Sequence, residues 1–330
     1  AAYGLLSRVA LYAEKWDVAA QAARDCATAE GNLDLSKNGY AKIFELGINS
    51  PEVLFAVEFK SSVIDHAYDA YVRPSGDTKE LGKQVYSGFV PTSELVDSYE
   101  MAGDGGNFSW EKHGKDPYAN REPRFYATIL YNGADWMGRK IESFVGGQDG
   151  YKAYENAGAA GTTVTGYYLR KYLIDGDKTW VTSGSGQDWI VLRYAEVLLN
   201  KAEALAMENW NKNSAEALND VRARVGLPAR ATADKETFLE YVRHERKVEL
   251  AGEGFRYWDL RRWRLAEKVI DGQNVHGVKI SKQSDGSFTY EQVDADGGHK
   301  RIFYDRYYRF AIPLSERSNN SLCTNNDGWI

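Results

Sequence analysis

The apolar positions of the chain fall into two regimes. Near the N-terminus Leu5, Val9, Tyr12 and Trp16 recur at i, i+4, i+7 and i+11, which predicts a first helix ending near Lys15. Asp17 is placed to cap a second, running to about Glu30 with Ala19, Ala22, Ala23 and Cys26 on one face. Small residues facing Leu, Tyr and Trp predict a close antiparallel pair of the tetratricopeptide kind. A pattern that opens in mid-helix reads as a fragment whose upstream part is missing. Helical period returns from Ile190 to Met207, where Val191, Ala195, Leu198, Leu199, Ala202, Leu205 and Ala206 form a stripe. After Trp210 another helix starts near Asn213 or Ser214, lined by Leu218, Val221 and Val225 and ended by Gly226 at C′ and by Pro228.

Between these helical regions, residues 61–187 lose the long period. Gly, Asn, Asp and aromatics dominate, and only PTSELVDSYE, with Thr92 or Ser93 as cap, predicts a helix. PEVLFAVEF at Pro51–Phe59, RFYATILYNG at Arg124–Gly133 and TGYYLRKYLI at Thr165–Ile174 read as strands or extended segments. So many large rings argue against disorder, and loops this long in a compact protein are usually functional. Residues 271–300 form a Gly/Asp-rich loop with room for a hairpin, and Tyr304–Pro313 is a strand-like aromatic run. The expectation is a mainly α protein: helix pairs against a loop-rich layer with short strands. It reads as a single domain over 1–330, divided into a first helix pair and link (1–60), an aromatic loop region (61–187), helical pairs (188–270) and an irregular C-terminal segment (271–330).

The densest chemistry lies from Phe238 to Trp263, FLEYVRHERKVELAGEGFRYWDLRRW, after a cap at Thr232 or Asp234. Phe238, Tyr241, Val242 and Glu245, with Val248 or Glu249, share a helical side, so Glu245 and Glu249 fall on or beside an apolar face. A buried carboxylate needs a cation. Glu245, Glu249 and Glu253 before or within the Gly252/Gly254 break, with Arg256, Asp259 and Arg262 after it, predict an ionic clasp between two helices. A catalytic carboxylate pair is the sharper alternative, set against the arginine that stands within helical reach of every acid. His244-Glu245 is no zincin motif, because Val occupies position 248.

Composition narrows the classes. The chain of 330 residues carries a net charge of -6 with Lys and Arg scattered, which argues against a nucleic-acid track. No apolar run is long enough to span a membrane, and no basic-then-apolar leader opens the chain. Two cysteines, Cys26 and Cys323, suit neither a disulfide framework nor a zinc site, and read as free thiols rather than as a pair, which is the alternative. Asp175/Asp177 and Asp294/Asp296 are acidic turns of a kind that can hold Ca²⁺, but neither continues as an EF-hand. No cofactor is otherwise expected.

Five stretches in order, SRVALYAEKWDVAAQAA, YANREPRFYATILYNGADWMG, TGYYLRKYL with DWIVLRYAEVLLNKAEALA, ALNDVRARVGLP leading into HERKVELAGEGFRYWDLRRW, and FAIPLSERSNNSLCTNNDGW, together resemble the RagB/SusD family of nutrient-binding outer-membrane proteins of the Bacteroidetes. The tail departs from the family's NPxLxQNPGY in lacking its prolines. The family's N-terminal portion, with signal peptide and lipid-bearing cysteine, has no counterpart here, and neither Cys26 nor Cys323 can stand in for that cysteine. The resemblance implies a non-catalytic surface lipoprotein of the outer membrane that binds oligosaccharides and delivers them to a SusC-like TonB-dependent β-barrel. A scaffold that chiefly docks to the transporter, and a glycoside hydrolase, are the alternatives. Sugars present apolar C–H faces to aromatic rings and hydroxyls to polar groups around them. Trp110 in GGNFSWEKHGKD and Trp180 in DGDKTWVTSGSGQD fit that need best, with Tyr86, Tyr151 and Tyr154 behind them. Trp136 is a further candidate that also suits packing; Trp16, Trp189, Trp210, Trp258 and Trp263 are assigned to the core.

Overall fold

The computed structural model describes residues 1–329 except 30, 37, 104, 157–161, 211–213 and 233. The predicted boundaries at Glu30 and Asn213 lie outside the described residues. Helices dominate, and the strands are short and paired in twos, in line with the expected class.

Helices α1 (Ala2–Tyr12) and α2 (Trp16–Thr28) form the first pair. The inward face of α1 is Gly4, Ser7, Ala10 and Leu11; the predicted stripe of Leu5, Val9 and Tyr12 is exposed. Close approach decides this. A Cβ on Gly4 would stand 2.9 Å from Leu192 and 3.0 Å from Leu54, so only small residues fit the contact. Asp17 does not cap α2: Lys15 takes that place without a side-chain bond, and Asp17 lies in the first turn, where its charge meets the helix dipole.

Next come α3 (Gly39–Leu46) and β1 (Val53–Val57). The middle of the chain then holds a series of very short helices: α4 (Tyr68–Val72), α5 (Asp77–Leu81), α6 (Ser93–Val96), α7 (Trp110–His113) and α8 (Pro123–Thr128). The strand predicted over Arg124–Gly133 is half helix, because Pro123 suits a first helical turn and starts α8. Only Ile129–Leu130 (β2) is extended. It pairs with Tyr168–Leu169 (β5), past the small hairpin of β3 (Asp135–Trp136) and β4 (Arg139–Lys140). After α9 (Trp180–Ser183), the segment read as the start of a helix at Ile190 is instead β6 (Trp189–Arg193), antiparallel to β1 with Val57 opposite Trp189. The run Trp-Ile-Val-Leu suits a strand, and the apolar stripe had hidden the change of period.

Helix α10 (Tyr194–Asn209) is the hub on which α1, α2, α11 (Ser214–Arg224) and α12 (Lys235–Glu249) pack. It is buried nearly all round, and its polar residues Glu196, Asn200 and Glu203 lie on one helical stripe inside the protein. Each is met by an arginine from a different element. Arg8 of α1 binds Glu196 at 2.6 and 2.7 Å, Arg246 of α12 binds Asn200 at 2.7 Å, and Arg262 binds Glu203 at 2.5 and 2.7 Å. Helix α11 ends as predicted at Gly226 (φ +73°): Leu227 N donates to Arg222 O and Gly226 N to Ala223 O, a Schellman closure. Asp234 caps α12 through the Thr237 amide at 2.7 Å.

The chain closes with α13 (Phe255–Arg262), α14 (Ala266–Ile270), a hairpin of β7 (His276–Lys282) and β8 (Phe288–Asp294), and α15 (Leu314–Asn319). Tyr304–Pro313 contains a 3-10 turn, Asp305–Tyr308, and is no strand. Cys26 and Cys323 are free thiols, the first buried in α2.

Candidate functional site

The acids of the predicted clasp do turn inward, but their partners come from elsewhere in the chain. Arg124 of α8 donates to Glu245 at 2.5 Å, to Glu249 at 2.9 Å and to Glu122 at 2.6 Å. Arg193, the last residue of β6, bonds Glu52 at 2.8 Å, Glu249 at 2.7 Å and Glu253 at 2.7 Å. Arg222 of α11 holds Glu100 at 2.8 and 2.9 Å and Glu245 at 3.0 Å, while Arg224 reaches Glu52 at 2.5 Å and also Glu249. Lys171 meets Glu253 at 2.7 Å, and Arg230 covers Glu100 from the rim at 3.0 Å. Six carboxylates thus face six cations in one buried network. Burial is the largest influence on Glu249 and pushes its carboxyl up, yet Arg224, Arg193 and Arg124 together hold it well below the usual range. Glu253 is lowered in the same way by Arg193 and Lys171 against the same penalty of burial. Carboxylates saturated with guanidinium bonds and shut from solvent offer no lone pair to a ligand. The network is a frame.

Asp259 and Arg262 belong to a separate group, with Arg246 on Asp259 at 2.8 and 3.1 Å and Arg262 on it at 2.9 Å. Arg256 joins neither. Among the described residues it has no ion pair or hydrogen bond, so the predicted pairing of Arg256 with the acids of α12 does not form. Gly252 (φ +76°) and Gly254 (φ +86°) allow the chain to reverse, which sends Glu253 inward and leaves Arg256 on the other side.

The candidate rings are scattered. Trp136 is 0% exposed and Trp180 1%; both lie over the Arg73 guanidinium, at 5.3 and 5.2 Å, and Trp136 Nε1 donates to Asp77 at 3.0 Å. Lys83 also lies over Trp180 and donates to its carbonyl. A loop tryptophan without periodic apolar partners had suggested exposure; here the partners are cations that a hydropathy pattern does not register. Tyr151 is buried beside Thr163. Trp110 is half-buried, donating to Asp97 at 2.9 Å and set edge-on to Phe108. Tyr154 is exposed, edge-on to His299. Tyr86 is the candidate placed among other exposed rings. Trp258, assigned to the core, is exposed beside Phe310.

Around Tyr86 the structure builds an aromatic shelf. Tyr86 (46% exposed) stacks on Tyr71 (49%) of α4, with centroids 5.1 Å apart and planes at 26°. The pairing is fixed by backbone: Tyr86 N donates to Ala70 O at 2.7 Å and Gly88 N to Tyr71 O at 2.6 Å. Ser87 between them takes φ +48° and donates to Arg73 O at 2.9 Å. Beside this pair opens an apolar recess of about 330 Å³ lined by Phe59, His66, Tyr68, Tyr71, Phe89 and Trp189, with Phe89 64% exposed. Trp189 stands on Tyr172 at 4.8 Å and 13°, so its rear face is occupied. Polar groups border the shelf, with His66 bonded to Gln187 O at 2.8 Å. Tyr71 and Phe89 went unselected in the sequence, and Trp189 was assigned to the core. The signal available was HAYDAYV, whose Tyr68 and Tyr71 lie one helical turn apart.

The acidic turns accept hydrogen bonds from their surroundings. Asp175 accepts from Met137 N at 2.7 Å, Asp177 from Thr179 N at 2.8 Å, and Asp294 from Asn274 at 2.9 Å. Among the described residues no group of three or more His, Cys, Asp or Glu could hold a metal ion. Among them, too, no helix is long and apolar enough to cross a membrane.

The sequence profile of the SusD family matches residues 51–329. The chain belongs to the SusD family. Its fold agrees with that of a SusD-like protein from Bacteroides fragilis at a TM-score of 0.84 and 26% identity, over 99% of this chain and 64% of that one. A SusD-like carbohydrate binding protein of the same organism follows at 0.78 and 25%, over 97% and 63%. The SusD-like protein P38 of Formosa agariphila is 32% identical over 130 residues, which are 36% of this chain and 25% of that protein. This SusD-family chain therefore spans less than two thirds of the length of these relatives.

Proposed function

We propose that the protein captures oligosaccharides at the cell surface on the shelf formed by Tyr71, Tyr86 and Phe89, and delivers them to a TonB-dependent outer-membrane transporter without altering them. SusD-family membership and the carbohydrate binding named for the Bacteroides fragilis relative support the reading. The observation that carries it is the exposed Tyr71–Tyr86 stack. Mutual stacking takes one face of each ring and leaves the other for the C–H face of a sugar, with Phe89 and the recess beside it for the next residue. The protein would sit in the outer leaflet through a lipid anchor, as the family resemblance implies.

Calorimetry against a panel of neutral oligosaccharides tests this. One or more should bind, and Tyr71→Ala with Tyr86→Ala should weaken that binding at least tenfold while leaving the thermal transition in place. Binding unchanged by the double substitution would remove the shelf from the reading, and hydrolysis of the panel would remove the non-catalytic assignment.

A further inference from the structure

Arg256, the arginine left out of the buried network, lines a second groove of about 420 Å³. The groove runs where the end of α12 meets the start of α13, and is walled by α6, α14 and residues 273–275. Its lining is largely apolar, with Leu95, Leu250, Leu260, Ile270 and Val275 joined by Phe255 and Tyr257. Four cations line it as well, and they are not equivalent. Arg246 is neutralised by Asp259, and Arg301 has Asp296 at 3.9 Å. Among the described residues, Lys247 and Arg256 have no carboxylate within ion-pair distance. The Lys247 ammonium donates to the Glu94 carbonyl and the Ser98 hydroxyl, both uncharged acceptors. The Glu94 side chain is turned to His276, whose backbone N donates to it at 3.1 Å and whose ring stands at 2.6 Å.

The two cations therefore carry charge that the fold does not balance. Burial, and next to it the charge of Arg256, pushes the Lys247 ammonium down to about 8, with Glu94 and Asp97 offsetting only part of this. Burial likewise lowers Arg256, with Asp259 opposing it. An isolated protein gains nothing from holding two half-buried cations near each other. A carboxylate placed between them would relieve the desolvation and the repulsion together, and charge-assisted bonds of that kind are the strong ones.

We propose that this groove docks a partner polypeptide segment that presents an Asp or Glu beside a bulky apolar side chain. The carboxylate meets Lys247 and Arg256, and the apolar side chain enters between Leu250, Leu260 and Ile270. A peptide fits better than an acidic sugar, because the lining is mainly apolar, with Phe255 and Tyr257 added to the aliphatic side chains. Its one exposed ring, Tyr257, stands edge-on to Trp258 and is not stacked as the rings are at the Tyr71–Tyr86 shelf. The site is independent of that shelf.

The test is selection of a random heptapeptide display library on the protein, with the variant carrying Arg256→Gln and Lys247→Gln as the counter-target. Enriched peptides should share an acid next to Leu, Phe, Ile or Trp. Measured by fluorescence anisotropy, the best of them should lose at least tenfold in affinity for each single variant and for the same peptide with Gln or Asn at the acid. Its binding should also weaken as salt rises. Because Arg256 holds up no partner, Arg256→Gln should fold with an unchanged circular dichroism spectrum, so loss of binding reads as loss of the site. Enrichment without an acidic residue, or equal enrichment on the double variant, would overturn the proposal. So would displacement of the peptide by oligogalacturonate at lower concentration than by free peptide, since the groove would then be an acidic-glycan site.

Discussion

Arg193 at the end of β6 grips Glu249 at the end of α12 twice, through the carboxylate at 2.7 Å and through the backbone carbonyl at 2.8 Å. One side chain thereby fixes the β1–β6 ribbon to the last turn of α12 and neutralises an acid that Arg124 and Arg224 also hold. The pairing joins residues far apart in the chain, and it separates the two halves of the predicted clasp.

Glu249→Ala should cost about 3–5 kcal/mol in urea denaturation, the range for removing one partner of a desolvated ion pair. Three arginines would be left sharing the remaining acids. Arg256→Ala should stay within about 1 kcal/mol, because no pair is broken. Equal losses for the two would contradict the separation described above.

At Arg8 and Glu196 a cycle can distinguish pairing from mere burial. Glu196 is buried on the hub helix while Arg8 is partly exposed, so Arg8→Met alone should destabilise strongly by stranding a buried carboxylate. Arg8→Met combined with Glu196→Leu should recover most of that loss, since an apolar pair needs no solvent. The measurement is the coupling energy from four denaturation curves.

The rings divide by what they touch. Trp180→Ala and Trp136→Ala should cost about 3–5 kcal/mol each, as for large core truncations, and both uncover Arg73. Tyr86→Ala, at an exposed ring, should cost under about 1 kcal/mol and act on glycan binding alone. A tryptophan variant that folds normally but loses sugar would reverse this assignment.

Acid should be the weak side of the protein. Glu249, Glu253 and Asp259 keep folded values below their ordinary ones because their arginines and lysine outweigh burial, and Glu100 is lowered likewise by Arg222, His244 and Arg230. The unfolded chain then binds more protons than the folded one as pH drops through the ordinary carboxyl range. The stability these groups contribute is complete above about pH 4.5 and is lost progressively below it. A melting temperature flat from pH 6 to 8 that falls steeply below pH 4.5 is the expected curve; a flat line to pH 3 would refute it.

Much of the scaffold was legible because it obeys helical period: the stripe of α10, the Schellman glycine at 226 and a cap at Thr232 or Asp234 were all readable from local residues. So was the inward turn of Glu245 and Glu249, since carboxylates on an apolar face have few other fates. What could not be read was which cation each acid meets, because Arg124 and Arg193 are distant in sequence and adjacent only in the folded chain. The same limit governed the rings. Trp180 in a polar loop and Tyr86 in another look alike on paper, and only the arrival of Arg73 buries one while the 86–88 backbone bonds to α4 hold the other out. The Leu5–Val9–Tyr12 stripe misled for a different reason: the closest helix contact selects the smallest face, not the most apolar one.

The stripe of Glu196, Asn200 and Glu203 makes α10 a keyed shaft. Turning it by a single residue step would withdraw all three from Arg8, Arg246 and Arg262 at once, so its rotation is set by charge as well as by shape. Two of the keys come from opposite directions along the sequence, with Arg8 188 residues before Glu196 and Arg262 59 residues after Glu203. The hub can lock only after both the preceding and the following segment have arrived. Helix α10 with its neighbours should therefore form late and as one cooperative unit, and cutting the chain in the aromatic loop region should yield no half that folds alone.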